Sequence, residues 1–205
     1  ELVEVLGSAI KANPADARAP YYMGNLLYDW QPEEATKYWE KSSVLDPLFP
    51  ITWRNLAVAY SHQPGDDSKS KAIACLEKAV ATGKVYPTHL IELDRLYQSS
   101  NYTADKRLAM LEKYQSVVVK NDEALGNLIT LKNFTGKPDE SIKLLQNRIF
   151  SIWEGGTAFN SGQAWADANI IRGLQQIKNK KYNEAIKYLE ASVKPPENLR
   201  AEQRF

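Results

Sequence analysis

The sequence predicts an all-α fold made of repeated helical hairpins. Apolar residues recur at helical spacing, and no run shows the two-residue alternation of a half-buried strand. Short segments rich in turn residues, such as "QPEE", "LDPLFP" and "TGKPDE", separate the helical stretches. The same order of small and large side chains also returns about every 34 residues, which is typical of stacked helix–turn–helix units.

The second helix of each predicted hairpin carries the most specific pattern. A small residue is followed four positions later by a large apolar residue, and three positions after that by another small residue. Three segments follow it, namely Ala35-Trp39-Ser42, Ala72-Leu76-Ala79 and Ala185-Leu189-Ser192. Small residues let two helices approach closely while the large residue fills the groove between them. First helices such as "WRNLAVAY" carry a complementary pattern: a large residue, an apolar residue three positions later, a small residue next and an aromatic residue seven positions after the first.

The opening stretch "ELVEVLGSAIKANPAD" fits the second-helix pattern from its first residues. Leu2, Leu6 and Ala9 hold the equivalent positions, and Pro14 ends the helix. We therefore expect residues 1–14 to be the second helix of a repeat whose first helix precedes this sequence. Its apolar face near Leu2 and Val3 predicts weak self-association.

These patterns resemble tetratricopeptide repeats. The equivalent positions are Leu2, Ala35, Ala72, Arg107, Ser141 and Ala185. Repeats three and four are degenerate, because Arg107, Tyr114 and Arg148 replace small residues. The resemblance implies a right-handed α-solenoid with a half repeat and about five hairpins. We expect one domain over 1–205, divided into the truncated repeat 1–14, four repeats over 15–150, an insertion loop 151–163, a last hairpin 164–194 and a tail 195–205.

A second resemblance extends over nearly the whole chain. The segments "RAPYYMGNLLYD", "LDPLFPITWRNLAVAY", "IELDRLY", "IWEGG" and "PPENL" occur in an order that resembles the helical-repeat tail of large bacterial proteins. Those proteins carry an upstream β-sandwich domain of unknown function, which is similar to the sandwich of aldose epimerases and of some carbohydrate-active enzymes. The resemblance implies that any catalytic residues lie outside this sequence.

Composition and motifs give no indication of an enzyme. The 26 Lys and Arg against 25 Asp and Glu leave a charge of +1, which favours neither nucleic acid nor a membrane as partner. Cys75 is the single cysteine, and His62, assigned to a turn, is far in sequence from His89, so we expect no metal site. No phosphate-binding loop or nucleophile motif is present, and we expect no cofactor. A cytoplasmic location is compatible with the lone cysteine.

The sequence therefore predicts a non-catalytic interaction scaffold within a larger bacterial protein. Its partner would be a protein, a peptide or the chain's own upstream domain. The alternative is an accessory helical region of a carbohydrate-active enzyme whose catalytic domain lies upstream. The first helices of stacked repeats line a groove, and their non-packing positions give the candidate site: Arg18, Tyr21, Tyr22, Asn25, Arg54, Asn55, Val58, Glu92 and Arg95.

Arg54 and Asn55 form the strongest candidate pair for a ligand, whereas Tyr21 and Tyr22 are equally compatible with covering the neighbouring repeat. Some tetratricopeptide domains bind C-terminal carboxylates through Lys and Arg at set groove positions. Asn25 and Asn55 match the two asparagines of that pattern. However, Tyr21, Thr88 and Glu92 stand where its cations are needed. The sequence therefore argues against binding of an acidic tail.

Overall fold

The computed structural model describes residues 1–65, 67–151 and 159–199. Within these ranges the chain forms α-helices and one 3₁₀ turn, Glu197–Leu199, and no strand. The helices are α1 (Leu2–Ala12), α2 (Arg18–Leu27), α3 (Pro32–Leu45), α4 (Pro50–His62), α5 (Ser68–Ala81), α6 (Pro87–Ser99), α7 (Ala104–Lys113), α8 (Gln115–Val118), α9 (Asp122–Phe134), α10 (Pro138–Leu145), α11 (Ser161–Lys178) and α12 (Tyr182–Ser192). The all-α prediction is confirmed. No described helix is both long and apolar enough to cross a bilayer.

Helix starts follow the chemistry of the turn residues. Four helices begin with proline at the first position, where its missing N–H costs no hydrogen bond: α3, α4, α6 and α10. Asn121 and Asn160 cap α9 and α11, because each side-chain oxygen accepts a hydrogen bond from a backbone N–H in the first helical turn. Gly136, with φ of 76°, makes the tight turn between α9 and α10.

The chain forms two compact units, residues 1–101 and 102–205. The first contains α1, the hairpins α2/α3 and α4/α5, and α6, which packs on α5. Its core follows the small–large–small pattern: Ala35 and Ser42 are fully buried and Trp39 is nearly so. The Ser42 hydroxyl donates to the Ala17 carbonyl at 2.8 Å. The predicted second-helix pattern is therefore confirmed here as a packing pattern.

Helix α1 packs on α2 without burying a residue. Leu2, Val3 and Val5 are 57%, 48% and 58% exposed. Helix α1 thus presents the open apolar face near Leu2 and Val3 that the sequence predicts. Self-association through that face stays a prediction.

The second unit contains the hairpins α9/α10 and α11/α12, with α7 packed on α9. The repeat pattern is weakest here. Tyr114 separates α7 from the four-residue α8, and α10 ends at Leu145, so Arg148 lies beyond it and pairs with Asp122. The expected third hairpin would join α6 and α7, which belong to different units. The organisation of the chain as a single domain stays a prediction. Most of the predicted loop 151–163 lies outside the described residues, and α11 already begins at Ser161.

Candidate binding surface

All nine predicted site residues lie on α2, α4 and α6, the first helices of the first unit. We call their solvent-facing side chains, with those of Tyr28 and His62, the first-helix surface. Neighbouring helices are joined across this surface by three sets of hydrogen bonds: Asn25 with Asn55, Tyr28 with His62, and Arg54 with Glu92. The structure therefore brings much of the predicted set together, and it does so through direct contacts between its members.

The asparagine pair lies between α2 and α4. Asn55 Nδ2 donates to Asn25 Oδ1 at 2.9 Å, and the buried Trp39 indole N–H donates to the same oxygen at 3.0 Å. Both acceptor positions of that oxygen are thus occupied. Asn25 Nδ2 and Asn55 Oδ1 make no hydrogen bond within the described part of the chain, and Asn25 is exposed. The amide nitrogen of Asn25 and the amide oxygen of Asn55 therefore remain for a ligand.

Arg54 is held by Glu92 in a two-point ion pair. Its Nε donates to Oε2 at 3.0 Å and its Nη2 to Oε1 at 2.6 Å. The hydrogen bonds that Arg54 donates to Glu92 raise the pKa of Arg54, which stays charged. Arg54, a leading candidate for ligand contact, is thus already neutralised by another residue of the protein. An acidic ligand would have to compete with Glu92 for the guanidinium group.

Tyr28 and His62 are members of this surface that the sequence analysis missed. The Tyr28 hydroxyl lies 3.0 Å from His62 Nδ1. Burial raises the pKa of Tyr28. The assignment of His62 to a turn was wrong, because α4 continues through it. The available signal was spacing, since Tyr28 follows Tyr21 and Asn25 on one helical face.

The other predicted residues divide by their contacts. Tyr21 is half-buried against Phe49, with ring centroids 4.9 Å apart, and so covers the neighbouring repeat. Tyr22 is 55% exposed and presents its ring to solvent. Arg18 pairs with Asp16 at 3.0 Å, away from the interhelical bonds. Val58 is half-buried and Arg95 is exposed.

Cys75 and His89 of the first unit are buried. Burial raises the pKa of the Cys75 thiol to about 11 and lowers the pKa of His89. His89 packs edge-on against Tyr86. Nowhere in residues 1–65, 67–151 or 159–199 do three or more His, Cys, Asp or Glu side chains form a group that could hold a metal ion.

A second surface, absent from the sequence-based candidates, lies on α9 and α11 of the second unit. A cavity of about 450 Å³ is bordered by both helices and by Phe159. Phe134 at its edge is 81% exposed, and Ile170 is 40% exposed. The signal in the sequence was the run Ile170, Leu174 and Ile177, which repeats at helical spacing beyond the residues needed for the hairpin core.

No protein-family model matches the chain. Its fold is similar to that of YrrB, a TPR protein with an unusual peptide-binding site, at 19% identity and a TM-score of 0.59 over 96% of each chain. It is also similar to the fold of one chain in the structure of the APC/C hetero-tetramer Cut9–Hcn1, at 18% identity and a TM-score of 0.50. The match covers 94% of this chain and 36% of that chain. These likenesses, together with the helical hairpins, show that the chain has a tetratricopeptide-like helical-repeat fold.

Proposed function

We propose that the chain is a non-catalytic scaffold that binds a segment of another protein on the first-helix surface. The asparagine pair is the observation that carries this proposal. The Asn25 amide nitrogen and the Asn55 amide oxygen belong to two side chains joined by a hydrogen bond, and they offer donor and acceptor groups to a ligand. A peptide backbone carries both complementary groups in every residue that is not proline, so it can satisfy the two amides together.

The pair is held in place before any ligand arrives. Trp39, only 3% exposed, fixes the Asn25 oxygen, and that oxygen in turn fixes the Asn55 amide. A ligand therefore meets side chains that have already lost most of their rotamer freedom, which lowers the entropic cost of binding. Tyr22 adds an exposed aromatic ring, a residue type enriched at interaction hot spots.

The charges on this surface favour a neutral contact. Glu92 already neutralises Arg54, so the surface offers little attraction to an acidic tail. Backbone hydrogen bonds and apolar contact with Tyr22 would then supply most of the affinity. The peptide-binding site of YrrB, a protein of similar fold, supports a peptide as the ligand type.

We place this scaffold within a larger bacterial protein, as the sequence resemblance implies. The bound segment would belong either to another protein or to the chain's own upstream domain. A segment of either origin would meet the same donor and acceptor, because the asparagine pair contacts only backbone.

Selection of random octapeptides displayed on phage tests the proposal, followed by calorimetric titration of the tightest peptides. Asn55→Ala removes the free acceptor while Trp39 still donates to Asn25, and we expect binding to weaken about tenfold. Asn183→Ala is the matched control, because Asn183 is an exposed asparagine on α12. A failure to select any binding peptide, or unchanged affinity in Asn55→Ala, would contradict the proposal.

A further inference from the structure

We propose that the second unit carries its own binding site between α9 and α11, for a protein segment that presents a large apolar side chain beside a lysine or arginine. This site is separate from the asparagine pair and goes beyond the function proposed above. Its evidence comes from a preformed cavity, an unpaired carboxylate in the cavity lining and an exposed apolar strip.

The cavity is bounded by side chains that are fixed in the folded unit. Phe159 forms one wall by packing directly over Gly126 of α9, where a Cβ atom would lie within 3.0 Å of its ring. The Phe150 ring supports Phe159 at a centroid distance of 4.9 Å. The volume of about 450 Å³ lies within the range of ligand-binding pockets, roughly 300 to 1,000 Å³. A ligand therefore finds the cavity already formed.

Asn133, a residue of the cavity lining, is held in place by a hydrogen bond to α11. Asn133 is 7% exposed, and its Nδ2 donates to the Ala164 carbonyl at 3.0 Å. That bond fixes the orientation of the amide and links α9 to α11. The two helices that border the cavity are therefore joined by a buried hydrogen bond before any ligand arrives.

The cavity lining carries an unpaired negative charge, which favours a cationic ligand. Asp167 lines the cavity and accepts a hydrogen bond from Gln163 Nε2 at 2.8 Å, but it forms no ion pair within the described residues. An unpaired carboxylate in a cavity lining favours a ligand with N–H donors and positive charge. Lysine and arginine carry both.

The apolar strip indicates that the ligand is a protein segment. Ile170, Leu174 and Ile177 are 40%, 57% and 41% exposed and lie one helical turn apart along α11. They extend the apolar surface about 10 Å beyond Ile170, at 1.5 Å per residue. A small molecule filling the cavity would leave most of this strip in water, whereas a peptide chain can cover it while one side chain enters the cavity.

The test uses the Asn55→Ala variant of the full chain as target for a random octapeptide library, so that the first-helix surface is weakened. We expect the selected peptides to be enriched in a large apolar residue adjacent to Lys or Arg. Asp167→Asn should weaken their binding about tenfold, because it replaces a charge-assisted hydrogen bond by a neutral one. Phe134→Ala should weaken it by a similar factor.

Two controls match these changes. Glu190→Gln neutralises an exposed carboxylate on α12, and Trp30→Ala removes an aromatic side chain that is 84% exposed, close to the 81% of Phe134. Both should leave affinity within about twofold. Phe134 is so exposed that its loss leaves the fold intact, which circular dichroism verifies.

Several results would overturn the inference. The inference fails if no peptide is selected, or if the selected peptides lack Lys and Arg. It also fails if Asp167→Asn leaves their affinity unchanged. If the wild-type chain selects peptides that depend on Asn55 while the Asn55→Ala variant selects none, this inference fails and the proposed function stands. If the Asn55→Ala variant alone yields peptides that depend on Asp167, the proposed function fails and this inference stands.

Discussion

Gly24 of α2 lies directly against Trp39 of α3. A Cβ atom at this position would lie within 3.0 Å of three atoms of the Trp39 indole. Trp39 is nearly fully buried, and its N–H donates to the Tyr21 carbonyl at 3.2 Å and to Asn25 Oδ1 at 3.0 Å. Gly24→Ala must therefore displace a ring that is fixed by packing and by two hydrogen bonds.

The expected magnitude follows from three opposing contributions. Alanine is favoured over glycine within a helix by about 1 kcal/mol. Overpacking a filled core costs about 1–3 kcal/mol, and each weakened indole hydrogen bond costs about 1 kcal/mol. The net result is a loss of about 2 kcal/mol in the free energy of unfolding of the first unit. Movement of Trp39 would also disturb the Asn25 amide that it anchors.

Urea unfolding followed by circular dichroism measures this change. Gly7→Ala is the matched control, because Gly7 is also helical and a Cβ atom there meets nothing within 4 Å. Gly7→Ala should leave stability unchanged or raise it by up to about 1 kcal/mol. Gly24→Ala as stable as the wild-type chain would refute the packing described for α2 and α3.

Three further predictions concern other parts of the chain. Cys75, with its pKa raised to about 11, should react with iodoacetamide at pH 8 only after unfolding; fast labelling of the native protein would contradict its burial. Amides of α1 should exchange faster than those of α4, and association should rise with concentration, because α1 buries no residue; slow exchange in a monomeric chain would argue against an open face. The hydrogen bond from Lys132 lowers the pKa of Glu112 below its ordinary 4.5, so the second unit should lose stability as pH falls below about 4.5. Glu112→Gln should flatten this pH dependence in acid unfolding, and an unaltered profile would contradict the role of the ion pair.

The sequence predicts the packing of this protein better than its surface. The pattern of Ala35, Trp39 and Ser42 specifies close helix contact, since only small residues fit where two helices touch. The same rule fails at Tyr114 and Arg148. There the chain ends its helices early and uses Arg148 in an ion pair with Asp122, a contact between residues distant in sequence.

The candidate site was predicted as a set of positions and not as a set of contacts. Helical periodicity places Asn25 and Asn55 on first helices, but it does not show that their amides bond each other. Nor does it show that Arg54 is already paired with Glu92, because that bond joins α4 to α6, two helices whose register depends on core packing. The surface on α9 and α11 was missed for a related reason, since apolar residues such as Ile170 and Leu174 are most often part of a core.

The most direct test of the proposed function is an amide chemical-shift map of the ¹⁵N-labelled chain titrated with a peptide selected by the wild-type protein. The proposal predicts shifts in the side-chain amides of Asn25 and Asn55 and in backbone amides of α2 and α4. Shifts confined to the second helices α3 and α5, with both asparagine amides unmoved, would contradict it.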